Sequence, residues 1–246
     1  MLHSVEILGR VVTPPHACPY LAGRMAMLEW SYVSSLDPGE YEDLMNRGHR
    51  KFGAFVFRPA CEGCTACRPI RVSVARFSPD RSQKRAWKAN QDLRLRVGRP
   101  TVDDARLDLL HRYHAERERE KGWPREDHDA GDYASSFVEN PLPAVEISVW
   151  EKDALRAVLL ADLTPRVLSA VYHYHDPAFS RRGLGTFVIL QAFELARRSG
   201  KEHVYLGFHV EGCPSMSYKA RFRPCEVLGE DGVWRDLEPG GTRISR

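Results

Sequence analysis

Three closely spaced cysteines are the first residues of this sequence whose types and spacing indicate chemistry. Cys61, Cys64 and Cys67 form a C-x-x-C-x-x-C pattern, and Cys18 is a fourth cysteine in the same half of the chain. Four thiolates are what a tetrahedral zinc site or a four-cysteine iron–sulfur cluster requires. The pattern therefore predicts a soft-metal site, which holds zinc or an iron–sulfur cluster. The alternative is that the cysteines are reduced structural residues, or that they form a disulfide on oxidation.

A histidine-rich segment, YHYHD at residues 172–176, ends a predicted strand. Strand alternation places His173 and His175 on one face and the tyrosines on the other. Histidine and aspartate at this position can take a proton from an amine, so His175, Asp176 and the adjoining Tyr174 are candidate catalytic residues. The alternative is that these histidines are hydrogen-bonded structural residues.

A glycine-containing segment, RRGLGT at residues 181–186, joins this strand to a predicted helix. Glycines let the backbone approach a ligand, and unpaired N–H groups at a helix N-terminus attract anions. Arg182, Gly183 and Gly185 are therefore candidate ligands for an anionic group. The glycine spacing matches a coenzyme A loop only in part, and the alternative is an ordinary helix start.

Two further segments carry clustered positive charge. Residues 76–99 contain eight Lys or Arg against two Asp, which gives this segment a net charge of +6, whereas the whole chain has a net charge of +3. With Trp87 interleaved, the segment is typical of a phosphate-binding surface, although a solvated face is the alternative. Nearer the C-terminus, Tyr218, Lys219 and Arg221 could bind a carboxylate or a phosphate, or could form a solvated helix end.

Length and composition set limits on the protein class. A chain of 246 residues with 43% hydrophobic and 28% charged residues can bury a sizeable core. No apolar run approaches the roughly 20 residues of a membrane span, and the N-terminus lacks the pattern of a signal peptide. We therefore expect a cytoplasmic protein that does not associate with a membrane.

The elements that must position these residues follow from periodicity and capping signals. Helices are predicted over residues 38–47, 81–92, 103–121, 132–138, 184–198 and 215–220, and strands over residues 52–57, 70–74, 93–97, 144–150, 155–163, 167–175, 203–207, 226–228 and 234–237. This order predicts an α/β (α+β) chain with a GNAT-like acyltransferase fold in its C-terminal half. Arg99-Pro100 is the predicted boundary between a cysteine-containing α/β N-terminal domain, residues 1–99, and the GNAT-like domain, residues 100–246.

Several of these motifs together resemble one protein family. The segments are CPYL at 18–21, FRPACEGCTACRPIRV at 57–72, FSPDRSQKR at 77–85, SAVYHYHDP at 169–177, LGTFVILQ at 184–191, YLGF at 205–208 and MSYKARFRP at 216–224. Their combination resembles the arginyl-tRNA–protein transferase family, and it is most similar to the bacterial branch, the aspartate/glutamate leucyltransferases.

The resemblance implies an activity and its partners. An aminoacyl-tRNA would donate its amino acid to the N-terminal α-amine of proteins that begin with Asp or Glu, which marks them for degradation by the N-degron pathway. The bacterial resemblance favours leucyl-tRNA over arginyl-tRNA as donor, although the sequence does not decide between them. The tRNA terminus would take the place of coenzyme A near Arg182, Gly183 and Gly185. Some eukaryotic relatives bind zinc or an iron–sulfur cluster through cysteines that correspond approximately to those described above, although the chemistry itself requires no cofactor.

The basic residues are then divided between the two substrates. Lys84, Lys88 and Arg96 are expected to bind tRNA. Six residues are expected to bind the acceptor, and they are Arg76, Arg81, Arg85, Tyr218, Lys219 and Arg221. Two interpretations from other classes remain open, namely a non-catalytic metal- or redox-sensing tRNA-binding protein and an acyl-coenzyme A N-acetyltransferase.

Overall fold

A computed structural model describes residues 6–125 and 127–238 of the chain. The N-terminal part forms a four-stranded antiparallel sheet in the order β1-β4-β6-β5. Its strands are β1 (Glu6–Val12), β4 (Leu28–Ser35), β5 (Arg50–Phe52) and β6 (Phe55–Pro59), and a small hairpin of β2 (His16–Ala17) and β3 (Met25–Ala26) lies between the first two in sequence.

A larger, eight-stranded sheet forms the centre of the molecule, in the order β14-β13-β7-β12-β11-β10-β9-β8. Its strands are β7 (Cys67–Ser73), β8 (Arg94–Gly98), β9 (Ala144–Glu151), β10 (Ala154–Leu163), β11 (Val167–His175), β12 (His203–Val210), β13 (Cys225–Leu228) and β14 (Trp234–Asp236). Strands from both sides of the predicted boundary at residues 99 and 100 share this sheet.

The described residues also form five α-helices, and they are α1 (Pro38–Asn46), α2 (Arg81–Ala89), α3 (Asp104–Lys121), α4 (Ala130–Tyr133) and α5 (Leu184–Arg198). Their starts are set by local chemistry. Asp37 caps α1 ahead of Pro38, and Asp80 forms a reciprocal capping box with Gln83 at the start of α2. A π-helical turn, Ala134–Val138, continues α4, and two 3-10 helices cover Pro177–Arg182 and Ser217–Arg221.

Helix α5 anchors the main hydrophobic core. Phe187, Val188 and Phe193 are buried against the central sheet, and Phe193 stacks on Phe77 with ring centroids 4.0 Å apart. Burying side chains of this size contributes about 1.5–3 kcal/mol each. The packing fixes the N-terminal end of α5 relative to the end of β11.

Strands β11 and β12 form the one parallel pair in the described part of the central sheet, and their pairing is short. Registered partners extend only from Val167 opposite His203 to Ser169 opposite Tyr205, and the strands then diverge. A register irregularity in the β12–β7 pairing between Tyr205 and Phe208, where Gly207 has φ +84°, accompanies this divergence. A gap therefore opens in the sheet beside the histidine-rich end of β11.

The predicted elements are largely confirmed. The predicted helix at 184–198 coincides with α5, and the other predicted helices and strands lie within a few residues of observed elements. Two details differ. The strand predicted at 52–57 is split into β5 and β6 by a turn at Gly53, whose φ is +55°, and the segment predicted as a helix at 215–220 forms a shorter 3-10 helix.

Candidate active site

A cavity of about 730 Å³ occupies the gap between β11 and β12. Its walls come from the diverging strands, the N-terminus of α5, the second half of α3, strand β5 and the 3-10 helix at residues 217–221. Among the sequence-predicted site residues, those that line it are His175, Gly183, Gly185, Tyr218 and Lys219.

His173 and His175 both lie in the cavity wall, with ring planes almost parallel and centroids 6.4 Å apart. Burial lowers the pKa of His173 to about 3, and His175 and Lys219 lower it further. Burial likewise lowers the pKa of His175 to about 4, with a smaller effect from Arg117. Both rings are therefore neutral at physiological pH and can accept a hydrogen bond from an amine.

The N-terminus of α5 opens into the same cavity. Gly183 adopts the left-handed conformation at φ +67°, and no side chain caps the helix. The first helical hydrogen bond runs from the N–H of Phe187 to the carbonyl of Gly183, so the N–H groups before it have no partner within the helix. The backbone at Gly185 lies close to the His175 ring, since a Cβ on Gly185 would lie 2.9 Å from His175 Cε1. This end of the helix can bind an anion.

Three of the five Arg or Lys residues in the cavity wall are buried. Lys51 is neutralised by Asp162, with 3.2 Å between Nζ and Oδ1. Arg50 and Lys219 instead donate to backbone carbonyls, those of Ala170 and Phe208, at 3.0 Å each. Sequence reasoning missed Arg50 and Lys51, although a charged pair just before an apolar strand run was a usable signal.

The other two predicted catalytic residues lie outside the cavity lining. Asp176 is buried beside it and accepts hydrogen bonds from Arg112 at 2.9 Å and Arg156 at 2.7 Å. Burial alone would raise the pKa of Asp176, but these bonds and one from Ala178 N–H hold it below its usual range. Tyr174 is fully buried in the core on the opposite face of the sheet, where its hydroxyl lies 2.8 Å from that of Tyr133.

Helix α2 carries several of the predicted basic residues. Four of them are exposed, and they are Arg81, Lys84, Arg85 and Lys88. The helix packs directly on the start of α5, since a Cβ at Gly183 would lie 3.1 Å from Ala86 Cβ. Arg182 joins the two helices because its Nε donates to Ala89 O at 3.0 Å and its guanidinium pairs with Asp92. Ala86, which makes this contact, is buried, whereas Lys84 and Lys88 lie on the opposite, exposed side of α2. The basic side chains of α2 are therefore at the surface beside the start of α5 and do not line the cavity.

The remaining predicted basic residues lie elsewhere on the surface. Arg76 forms a two-bonded ion pair with Asp236, and both side chains are about half exposed. Arg221 is exposed, and its Nη2 donates to Ser82 Oγ at 2.9 Å. The guanidinium of Arg96, on edge strand β8, lies 4.4 Å from the centre of the Trp150 ring. None of the three lines the cavity.

The four predicted metal-binding cysteines line a second cavity, of about 530 Å³, between the small hairpin and the start of β7. Burial raises the pKa of Cys67 to about 12, and the nearby thiols of Cys18, Cys61 and Cys64 raise it further. None of the six cysteines of the chain forms a disulfide. Within residues 6–125 and 127–238, no group of three or more His, Cys, Asp or Glu is arranged to hold a metal ion. The four cysteines therefore line one cavity, but their thiols are not arranged as the ligands of a metal ion.

One further finding bears on a membrane role. In the part of the chain that the structure describes, no helix is both long and apolar enough to span a bilayer.

Comparison with known proteins relates this geometry to a family. Models of the arginine-tRNA-protein transferase N terminus and C terminus match residues 16–85 and 105–229. An aspartate/glutamate leucyltransferase of Halorhodospira halophila is 37% identical over 91% of this chain and 94% of its own length. One of Pseudomonas fluorescens strain Pf0-1 is 38% identical over 88% of this chain and 92% of its own length.

A comparison of structures gives the fold. The solved structure of L-PGS from Bacillus licheniformis covers 84% of this chain and 65% of its own, with a TM-score of 0.50 and 12% identity. The predicted GNAT-like α/β fold is confirmed. Two matching family models and relatives that align over most of their length place the sequence in one family. The chain belongs to the arginine-tRNA-protein transferase family.

Proposed function

We propose that this protein transfers leucine from leucyl-tRNA to the N-terminal α-amine of proteins that begin with Asp or Glu, and so marks them for degradation. The observation that carries the proposal is the cavity between β11 and β12, where neutral histidines, an open helix N-terminus and buried cations meet. The relatives named above are aspartate/glutamate leucyltransferases.

The chemistry is aminolysis of an ester. The acceptor nitrogen attacks the carbonyl carbon of the aminoacyl ester, and the bond from that carbon to the ribose oxygen of the tRNA breaks. The nitrogen loses one proton and the ribose oxygen gains one. An N-terminal amine has a pKa of about 7.7–8.0, so a sizeable fraction is already neutral and no strong base is needed. His173 and His175 can accept the amine's hydrogen bond and orient it, and such positioning supplies much of the rate. The reaction requires no cofactor.

Placement of tRNA is supported by the packing of α2 on the start of α5. The 3′-terminal phosphates need a cationic surface that ends at the reacting ester. The exposed face of α2 provides Lys84 and Lys88, and the N-terminus of α5 provides unpaired N–H groups inside the cavity. A tRNA end laid along this path brings its ester to the histidines.

Leucine as the donated residue is supported by the charge of the cavity. Among the described lining residues none is Asp or Glu, whereas five are Arg or Lys. A bound arginine side chain would need a carboxylate partner, since an unpaired buried guanidinium is costly. Apolar groups such as Ile189, Leu206 and Phe208 are available for a leucine side chain.

The test uses three labelled donors with one Asp-starting peptide. Leucyl-tRNA should label the peptide, whereas arginyl-tRNA and acetyl-coenzyme A should not. Transfer from acetyl-coenzyme A alone would identify an ordinary N-acetyltransferase. Binding of tRNA without transfer from any donor would identify a non-catalytic binding protein.

A soft-metal site at Cys18, Cys61, Cys64 and Cys67 remains part of the proposal. It is supported by the convergence of all four on one cavity and by the preference of thiolates for zinc and iron–sulfur clusters. Elemental analysis of anaerobically purified protein should find zinc, or iron with sulfide, that is lost in Cys64→Ser and retained in Cys225→Ser, whose thiol lies in the main core. Metal-free wild-type protein would contradict the assignment.

A further inference from the structure

Two of the cavity cations are fixed one to each of the diverging strands. Arg50 Nη2 donates to the carbonyl of Ala170 on β11, and Lys219 Nζ donates to the carbonyl of Phe208 on β12. The residues are only 5% and 8% exposed. The two cations therefore face the same gap from opposite sides, with little conformational freedom left to either.

Their positions converge on one point. A Cβ built on Gly207 would lie 3.2 Å from Lys219 Nζ and 4.0 Å from Arg50 Nη2. Gly207 is part of the cavity wall, and its positive φ brings the backbone close to both groups. A planar anion with two oxygens has the dimensions to contact both cations at this point.

Neither cation has a counter-charge. No described carboxylate forms an ion pair with Arg50 or Lys219, and Arg50 Nη1 is buried without any hydrogen-bond partner. Two buried like charges repel each other and cost free energy unless a ligand neutralises them. Lys51, the third buried cation of the wall, differs because it is already paired with Asp162.

We infer that Arg50 and Lys219 together bind the side-chain carboxylate of the acceptor's first residue, an inference that rests on the proposed function. The His173 ring lies 5.9 Å from the ring of Tyr218, which precedes Lys219 in the chain. The α-amine of an N-terminal Asp or Glu is only a few bonds from its side-chain carboxylate. A carboxylate held by the two cations thus places the amine within reach of His173. Arg76, Arg81, Arg85 and Arg221, the arginines predicted from the sequence for this role, lie outside the cavity.

The test compares an Asp-starting peptide with its Asn-starting isostere, at saturating leucyl-tRNA. Wild-type protein should prefer the Asp peptide by about 100-fold or more in kcat/KM, because the pair recognises charge. Lys219→Met and Arg50→Met should reduce this preference at least tenfold, mainly through the KM for the peptide, and leave the KM for leucyl-tRNA unchanged. Lys219→Arg should restore the preference. Lys201→Met is a matched control, because Lys201 also donates to a backbone carbonyl, that of Thr164, but away from the cavity.

The outcomes separate the inference from the proposed function. Absence of leucine transfer by wild-type protein to any peptide would overturn the proposed function, and the inference with it. Transfer with equal use of Asp and Asn peptides, or an unchanged preference in Lys219→Met, would overturn the inference alone. If Arg50→Met fails to fold, Lys219→Met and equilibrium binding of the two peptides to the protein without tRNA still decide the question.

Discussion

We expect wild-type protein to bind its acceptor more weakly at alkaline pH. Replacing Lys219 by arginine should remove this pH dependence. Burial lowers the pKa of Lys219 to about 7, and the Arg50 guanidinium lowers it further, whereas the thiols of Cys213 and Cys67 act in the opposite direction. Protonated Lys219 dominates below this pKa, and only that form attracts a carboxylate. Acceptor affinity should therefore fall as pH rises through about 7. An arginine stays charged, because its pKa exceeds about 12.

The size of the effect follows from the pKa. At pH 9 a group with a pKa near 7 is protonated in about 1% of molecules. The kcat/KM for an Asp-starting peptide should therefore be about 100-fold lower than it would be if Lys219 were fully protonated. The acceptor amine acts in the opposite direction, since only its neutral form attacks and its pKa is about 7.7–8.0. The wild-type profile should be a bell with its maximum between about pH 7 and pH 8.

Initial rates at saturating leucyl-tRNA, measured between about pH 6 and pH 9, give these profiles. Lys219→Arg should rise to a plateau above about pH 8, where wild-type protein declines. An Asn-starting peptide should show no alkaline decline with wild-type protein, since it offers no carboxylate. An alkaline decline of equal size in both proteins would refute the reasoning, because some other group would then be titrating.

Three further outcomes follow from the geometry. Charge reversal by Lys84→Glu and Lys88→Glu should weaken the binding of all tRNAs alike in filter-binding assays. The slope of the logarithm of the binding constant against the logarithm of the salt concentration should become shallower by about one for each lost phosphate contact. Gly185→Ala should lower kcat about tenfold or more without weakening tRNA binding, since the new Cβ would lie 2.9 Å from His175 Cε1 and displace that ring. Tyr174→Phe should cost about 1–2 kcal/mol of stability in chemical denaturation, because it leaves a buried hydroxyl unpaired, and should leave kcat/KM near the wild-type value.

Each of these has a control within the chain. Arg198→Glu reverses an exposed charge at the opposite end of α5 and should leave tRNA binding intact. Gly98→Ala adds a Cβ that meets no atom within 4 Å and should retain full activity. For the tyrosine, a large fall in kcat/KM with unchanged stability would contradict a purely structural role.

Most of the fold could be predicted because it is encoded locally. Asp37-Pro38 and the Asp80–Gln83 capping box specify helix starts without reference to the rest of the chain, and apolar periodicity identifies α5. The sharing of one sheet by β7 and the C-terminal strands could not be predicted in the same way. It depends on pairing between residues more than a hundred positions apart, such as Arg71 and Tyr205. A local sequence pattern does not indicate which distant strand will be the partner.

The active site was predictable only where a motif crosses the cavity. The histidines of β11 and the glycines before α5 are adjacent in sequence, so one segment identified both. Arg50 lies 120 residues from Ala170, the residue whose carbonyl it binds, and its role depends on the separation of two strands. Charge density, the signal that selected Arg81 and Arg221, favours solvated side chains, whereas Arg50, Lys51 and Lys219 are buried in the cavity wall.

The divergence of β11 and β12 bears on how one cavity can serve two substrates that both carry negative charge. The tRNA end and the acceptor carboxylate are both anionic, and they would compete for a single cationic patch. Here the basic groups fall into two sets, namely the exposed residues of α2 beside the start of α5 and the buried pair Arg50 and Lys219 at the gap between the strands. The histidine-bearing end of β11 lines the same cavity as the buried pair and the α5 N-terminus. In the arrangement we propose, the amine of an acceptor bound at Arg50 and Lys219 would meet the ester of a donor bound at the α5 N-terminus. A positively charged donor side chain would find no carboxylate among the described residues of the cavity wall.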